Sequence, residues 1–479
     1  MKERKLNRRD FLRLSAAAAT GAIMAACAPA TPEVVEVEKE VPVEKVKKET
    51  VVVEKEVAKP KETIELDYSF SFAVGGVPDM KRLCEVYSEE NPYVDIKPLY
   101  IAERYYEQLE MRAAAGDLPD AIYCADENFP YYVEQGLYRN LQPYVEQYRE
   151  ELDMDDFIPI TLKMFRWSPE IKVYGKGDYY ALPFSGGPIL WYYNKAVFED
   201  AGVEPPPDQG WDWDMNDFLE LCKKLVKVDE AGNMLRGAFP LPGWIYPMPF
   251  IRTMGGRYLT EDKKKCAMST PESVKAIQFF MDLRHKYRVV PLSTEFAGIG
   301  STDLFREGKI AMNITGPWWL PTLRAIPKDV LDFDLLHFPK NPETGERIVR
   351  STYDGITIGK GSRYPDAAWE FVMYIVDPKN QPIVARADEH SLSCRISALE
   401  SSFIHPEERP EHQEVFIDSQ PYWGLQPITE YWPEMWTIID KYWEKMVLEK
   451  IQMDVGEATA KICEGVDYLL EHGELPAKY

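Results

Sequence analysis

The sequence predicts an α/β fold, and three observations carry that expectation. From Thr63 onward, short apolar or alternating runs are separated by segments whose apolar residues recur at spacings of three, four and seven. Glycines close the early helical segments, at Gly116 and Gly136. A Gly-Gly-Pro group, Gly186 to Pro188, sits between two apolar runs, where the backbone can absorb rotation, as a crossing between domains would need, with an ordinary strand-to-strand loop as the rival. Strand and helix alternating at this spacing imply a mainly parallel sheet covered on both faces.

Taken in order, Ile64 to Phe72 alternates as a strand, and Val74-Gly75-Gly76 turns. Met80, Leu83, Cys84 and Tyr87 mark a helix face, stopped by Asn91-Pro92. Val94 to Leu99, helix Tyr105 to Ala115, strand Ala121 to Cys124 and helix Tyr131 to Gln135 follow. After Tyr180-Ala181-Leu182-Pro183 and the glycine pair comes a buried-type strand, Ile189 to Tyr193. Asp214 is placed to cap a helix holding Phe218, Leu221, Cys222 and Leu225, and Thr270 to cap Pro271 to Tyr287. Tyr353 to Ile358 is a second turn-to-strand crossing, Pro365 to Val376 an amphipathic helix, and Tyr468-Leu469-Leu470 ends the last helix.

The most informative stretch is Leu304 to Leu320. Glu307-Gly308 stops a helix, Ile310 to Ile314 reads as a short strand, and Gly316-Pro317 breaks it. Trp318 and Trp319 then stand at a strand mouth, where open α/β sheets present their ligand crevice. An indole there is a flat apolar platform with one polar edge, although packing is the commoner fate of a loop tryptophan. Gly243-Trp244-Ile245-Tyr246-Pro247 is a second aromatic loop, and Tyr422, Trp423, Tyr431, Trp432 and Trp436 form a third aromatic group.

The chain has 479 residues, 45% hydrophobic, enough for two or three domains. Its net charge of -23 argues against nucleic acid as a partner, since phosphate binding needs clustered Lys and Arg. At the start, Arg8-Arg9 precedes a short alanine-rich apolar run to Ala26, as in a twin-arginine export signal. Met24-Ala25-Ala26-Cys27 resembles a lipoprotein box, in which Cys27 takes the lipid and becomes the first mature residue. A two-chain lipid would hold a soluble body on the outer face of a membrane; one chain holds weakly. Residues 27–62, rich in Val, Glu and Lys, lack the means to close a core and read as a tether, with a short coiled coil or β-rich stalk as the rival.

Cys84, Cys124, Cys222, Cys266, Cys394 and Cys463 are scattered, with no C-x-x-C pair, so zinc and thioredoxin-like chemistry are disfavoured. Export permits disulfides, but the sequence does not pair these six. H-E-x-x-H, G-x-S-x-G and the P-loop are absent, and no cofactor or metal is expected.

From Thr63 on, the chain resembles the sugar-binding (maltose-binding-like) extracellular solute-binding proteins of bacterial ABC importers. The likeness is carried, in order, by NPYVDIKPLY from Asn91, AAAGDLPDAIYCAD from Ala113, GLYRNLQPYV from Gly136, YALP from Tyr180 and YYNKAVFEDAGVEPP from Tyr192. WDWDMNDFLELCKKL from Trp211, EGKIAMNITGPWW from Glu307 and DGITIGKGSRYPDAAWEFVMYI from Asp354 complete it. The resemblance implies a type II periplasmic-binding-protein-like fold: two α/β lobes, a hinge and a ligand cleft between them. Lobe 1 would take residues 63–185 and 354–414, and lobe 2 residues 186–353 and 415–479. The hinge would involve Gly186, Gly187, Asp354 and Gly355, with a third crossing near Ser419.

Carried over residue by residue, Trp318 matches the stacking tryptophan after Gly316-Pro317. Trp244 falls in the second-lobe loop that often adds a ring. Trp432, with Tyr422 and Trp423 as neighbours, falls near the C-terminal aromatic position. Asp126, Glu127 and Asn128 follow the third strand, where the family holds sugar hydroxyls. Gly187 replaces an acidic hinge residue of some members, and Cys124 an aromatic one. The implied protein is no enzyme: a monomer that captures a carbohydrate and hands it to a membrane permease. A non-sugar solute (peptide, polyamine, glycerol phosphate), an exported glycoside hydrolase or lyase, and a scaffold or adhesin remain as alternatives.

Overall fold

A computed structural model describes residues 63–71, 76–240, 243, 247–292, 294–387, 391–447 and 453–477. The export signal, the tether, Cys27 and Trp244 lie outside the described residues. Ten strands build the two main sheets: β1 (Ile64–Phe70), β2 (Val94–Tyr100), β3 (Ala121–Ala125), β4 (Leu182–Pro188), β5 (Leu190–Asn194), β6 (Met312–Thr315), β7 (Phe333–Leu336), β8 (Val349–Ile358), β9 (Leu392–Ser393) and β10 (Trp423–Gly424).

The first sheet has seven strands in the order β9-β4-β8-β3-β1-β2, with β10 added to β8. β1 pairs in parallel with β2 and β3, as strand–helix alternation requires. β8 runs antiparallel to both β3 and β4, and β9 antiparallel to β4. The sheet is therefore mixed rather than mainly parallel. β8 joins it after a long excursion through the second sheet, and local hydrophobic spacing carries no information on the direction of return. Helix Val77–Glu90 buries Met80, Leu83, Cys84 and Tyr87, the face its periodicity marks. Helix Tyr105–Ala115 ends at Gly116 in the left-handed conformation, φ 72°.

The second sheet is antiparallel, β6-β5-β7. Every residue of β5 is buried, so it reads as a continuous apolar run rather than an alternation. Trp191 on β5 meets Phe218, Phe239 and Phe250 at centroid distances of 5.0, 5.1 and 5.7 Å. Phe218 comes from helix Met215–Leu225, which Asp214 and Asp217 start with a reciprocal capping box. Thr270 caps helix Pro271–His285 through the Ser273 N–H. The terminal helices Trp432–Val447 and Val455–His472 pack on each other and on that helix. A disulfide, Cys266–Cys463, fastens the last of them across 197 residues of sequence. Cys84, Cys124, Cys222 and Cys394 are buried thiols. Among the described residues no helix is long and apolar enough to cross a membrane.

Candidate functional site

Two strands carry the chain between the sheets. β4 ends at Pro188, and after Ile189 the chain enters the second sheet as β5. β8 starts beside β10, at Val349 and Arg350, then runs up between β4 and β3. The two pair across the crossing, with Gly186 opposite Tyr353 and Gly187 opposite Thr352. Both glycines are required by close approach. A Cβ on Gly186 would lie 2.3 Å from the Thr352 carbonyl oxygen, and one on Gly187 2.7 Å from Pro317 Cγ. Asp354 and Gly355 lie inside the first sheet, paired on both sides, with a bulge between them. The Tyr123 hydroxyl donates to Asp354 Oδ1 at 2.7 Å.

A polar cluster is buried along this crossing. Asp126, at the end of β3, is 0% exposed, and its N–H donates to the Tyr353 carbonyl at 3.2 Å. Its Oδ2 accepts a long hydrogen bond from Tyr174 Oη at 3.5 Å, while Oδ1 has no partner among the described residues. Burial pushes this carboxyl up to about 7, against the pull of the Arg350 guanidinium. Arg350, 4% exposed, pairs through Nη2 with Glu127, and its Nε has no partner among the described residues. Burial brings Arg350 down to about 10, with Asp126 opposing the fall. Ser351 Oγ, Tyr353 Oη and Gln426 Oε1 are likewise buried without partners among the described residues, although Gln426 Nε2 donates to the Ser351 carbonyl at 3.3 Å. Each such group costs about 1–3 kcal/mol of desolvation. Donors and acceptors crowded at one crossing suit a ligand rich in hydroxyls, each of which both donates and accepts.

Trp318 stands at the same crossing. Pro317 rests on Gly187, one pairing step from Ser351 and Tyr353. The Trp318 ring is half-buried and lies over Gly316, where a Cβ would come within 2.1 Å of it. Only glycine allows that ring position.

Residues 76–382 match the family model described as bacterial extracellular solute-binding protein. The chain belongs to this family. A maltotriose-binding protein of Pyrococcus abyssi is 24% identical over 271 residues, 56% of this chain and 52% of that one. The chain thus matches about half the length of that relative. An ABC substrate-binding protein of Listeria monocytogenes, solved with cycloalternan, superposes with a TM-score of 0.72 at 22% identity, covering 86% of this chain and all of the other. A solute-binding protein of Thermotoga lettingae, solved with α-D-tagatose, gives 0.69 at 19% identity, covering 85% and 100%. The shared fold is the two-lobed α/β architecture of the periplasmic binding proteins.

In this solute-binding protein the other expected residues have varied surroundings. Trp319 is folded into its own half: its Nε1 donates to Thr302 Oγ1 at 3.0 Å, and its ring meets Tyr192 and Phe305 at 5.4 and 5.3 Å. Trp432 is 1% exposed and edge-on to Trp436, so protein covers both of its faces. Trp423, 7% exposed, packs on Tyr353, and its Nε1 donates to Ser419 Oγ at 2.9 Å. Tyr422 meets Trp211, and the Arg347 guanidinium lies 5.4 Å from the Trp211 centroid and 5.0 Å from that of Tyr422. Asn128 precedes helix Phe129–Glu134 without a capping bond from its side chain. Sequence reasoning missed Arg350, Tyr174 and Gln426.

One group among the described residues, Asp334, Glu411 and His412, brings potential metal ligands within 4.8 Å of one another. Lys195 Nζ lies 3.1 Å from Asp334 Oδ2 and 3.2 Å from Glu411 Oε2, so an ammonium already balances those carboxylates.

Proposed function

We propose that this protein is the substrate-binding lipoprotein of an ABC importer, capturing a carbohydrate between its two lobes and delivering it unaltered to a membrane permease. The observation that carries the reading is the polar cluster of Asp126, Arg350, Ser351, Tyr353 and Gln426, with the Trp318 ring at the same crossing. Carbohydrates present hydroxyls at their rim and C–H bonds on their faces, which such a pairing of groups complements. The named ligands of the relatives, maltotriose, cycloalternan and tagatose, are all carbohydrates.

On this reading lobe 1 comprises residues 63–185 and 354–414, and lobe 2 residues 186–353 and 415–479. Closure turns about Gly186, Gly187 and the first half of β8. A lipid on Cys27 and the tether beyond it hold the lobes at the outer face of the membrane. Catalysis plays no part, and the protein acts as a monomer. A thermal-shift screen of the mature chain against neutral and acidic saccharides, a dipeptide and a polyamine tests the reading, because a ligand of the folded form alone raises its melting temperature. A shift with a saccharide supports it. Shifts only with the peptide or polyamine overturn it.

A further inference from the structure

The chain carries 79 Asp and Glu against 56 Lys and Arg. Two half-buried cations without a carboxylate beside them, Arg252 and Lys263, hold adjoining backbone: Leu425, which binds one, lies against Gly175, next to the Tyr174 that binds the other, where a Cβ on Gly175 would come 3.0 Å from Leu425 Cδ1. Arg252 lies in the last turn of helix Met248–Thr253, and its Nη1 donates to the Leu425 carbonyl at 2.8 Å. Lys263 sits in the turn between Leu259 and Cys266, which bridge to each other. Its Nζ lies 3.4 Å from the Tyr174 carbonyl oxygen and 4.6 Å from the Tyr174 ring centroid. Arg257 and Lys176 act on this pair and are exposed at the rim. None of the four forms an ion pair with a carboxylate among the described residues. Burial and mutual repulsion bring Arg252 down to about 10 and Lys263 to about 8, the direction expected of cations gathered without counter-charge.

The place adjoins the polar cluster. Tyr174 bridges the two: its carbonyl and ring face Lys263, and its hydroxyl reaches Asp126. Leu425, whose carbonyl holds Arg252, precedes Gln426 of the cluster. A guanidinium fork and a mobile ammonium, half-buried together, suit an oxyanion better than a hydroxyl.

We propose that Arg252 and Lys263, with Lys176 and Arg257 at the rim, form a subsite for the carboxylate or phosphate of an anionic saccharide whose neutral part lies on the Trp318 side of the crossing. This rests on the carbohydrate reading above and narrows it to acidic sugars.

Isothermal titration of the mature chain with trigalacturonate against trigalactose, and with maltose 6-phosphate against maltose, tests the subsite. At least one acidic member is expected to bind tenfold or more tighter than its neutral counterpart, and the favoured pair tells carboxylate from phosphate. The preference is expected to shrink as salt rises from 20 to 300 mM, and to fall toward one in Arg252→Gln and in Lys263→Gln. Lys263 lies on a turn, so Lys263→Gln supplies the result should Arg252→Gln lower the melting temperature. Neutral members binding as tightly as acidic ones would overturn the subsite and leave carbohydrate capture standing. No binding by any saccharide overturns both.

Discussion

Replacing Asp126 by asparagine removes a charge while keeping the shape of the side chain. In the folded protein this carboxyl is pushed from 3.8 to about 7 by burial, with only partial relief from Arg350. The sign follows from proton binding. Between pH ~4 and ~7 the folded state holds the proton and the unfolded chain has lost it, so stability falls as pH rises through that window. The contribution is level below pH ~4 and again above ~7. The full span corresponds to about 4 kcal/mol. With an unfolding entropy near 2.1 cal/mol/K per residue over roughly 400 folded residues, that is about 5 °C in melting temperature. Melting is followed by circular dichroism at pH 5.0 and 8.5 for the wild type and Asp126→Asn. At pH 5.0 the variant is expected to melt only about 2 °C higher, because a protonated carboxyl and an amide are near isosteres in the folded state and only the unfolded carboxyl has ionised. At pH 8.5 the variant is expected to melt higher by several degrees. Equal differences at both pH values would refute the reasoning, showing that the carboxyl ionises as it does in water.

Trp318→Ala is expected to weaken binding of whichever sugar the screen identifies by at least roughly threefold, read by titration calorimetry; unchanged affinity removes the ring from the site. Gly316→Ala, by forcing the ring off its seat, is expected to move affinity in the same direction with the indole retained. Replacing Cys266 and Cys463 by serine opens a loop whose closure is worth up to about 5 kcal/mol in the chain-entropy model, so the melting temperature drops and no longer responds to reductant. Cys27→Ala is expected to move the protein from the membrane pellet to the soluble fraction; continued pelleting in the absence of detergent would exclude lipidation there.

Local chemistry in this chain was legible wherever it was set by neighbours in sequence. The helix faces at Met80–Tyr87 and Phe218–Leu225, the caps at Asp214 and Thr270, and the stops at Gly116 and Gly136 are all decided within a few residues. Strand direction was not, because β8 meets β3 and β4 only after the second sheet has been built. The disulfide was illegible for a similar reason: six cysteines allow fifteen pairings, and Cys266 and Cys463 are 197 residues apart. At the candidate site the strand-end position of Asp126 and the Gly-Pro-Trp turn could be read, since each is a local signal. Arg350, Tyr174 and Lys263 could not, because each becomes informative only beside the others. The tail tryptophans show the opposite limit. Trp432, Met435, Ile439, Tyr442 and Met446 share one buried helix face, so helical periodicity explains the Trp432 ring as packing.

The pairing of β4 with β8 at the crossing has a mechanical consequence. A lone linker strand swivels freely, but two strands laced together by hydrogen bonds behave like a leaf spring, soft to twist and bend and stiff to stretching. The halves of this molecule can then rock against each other while the distance between them along the ribbon stays fixed. Spin labels set close to Gly186 on either side should keep their separation, while labels at the far rims swing through many ångströms.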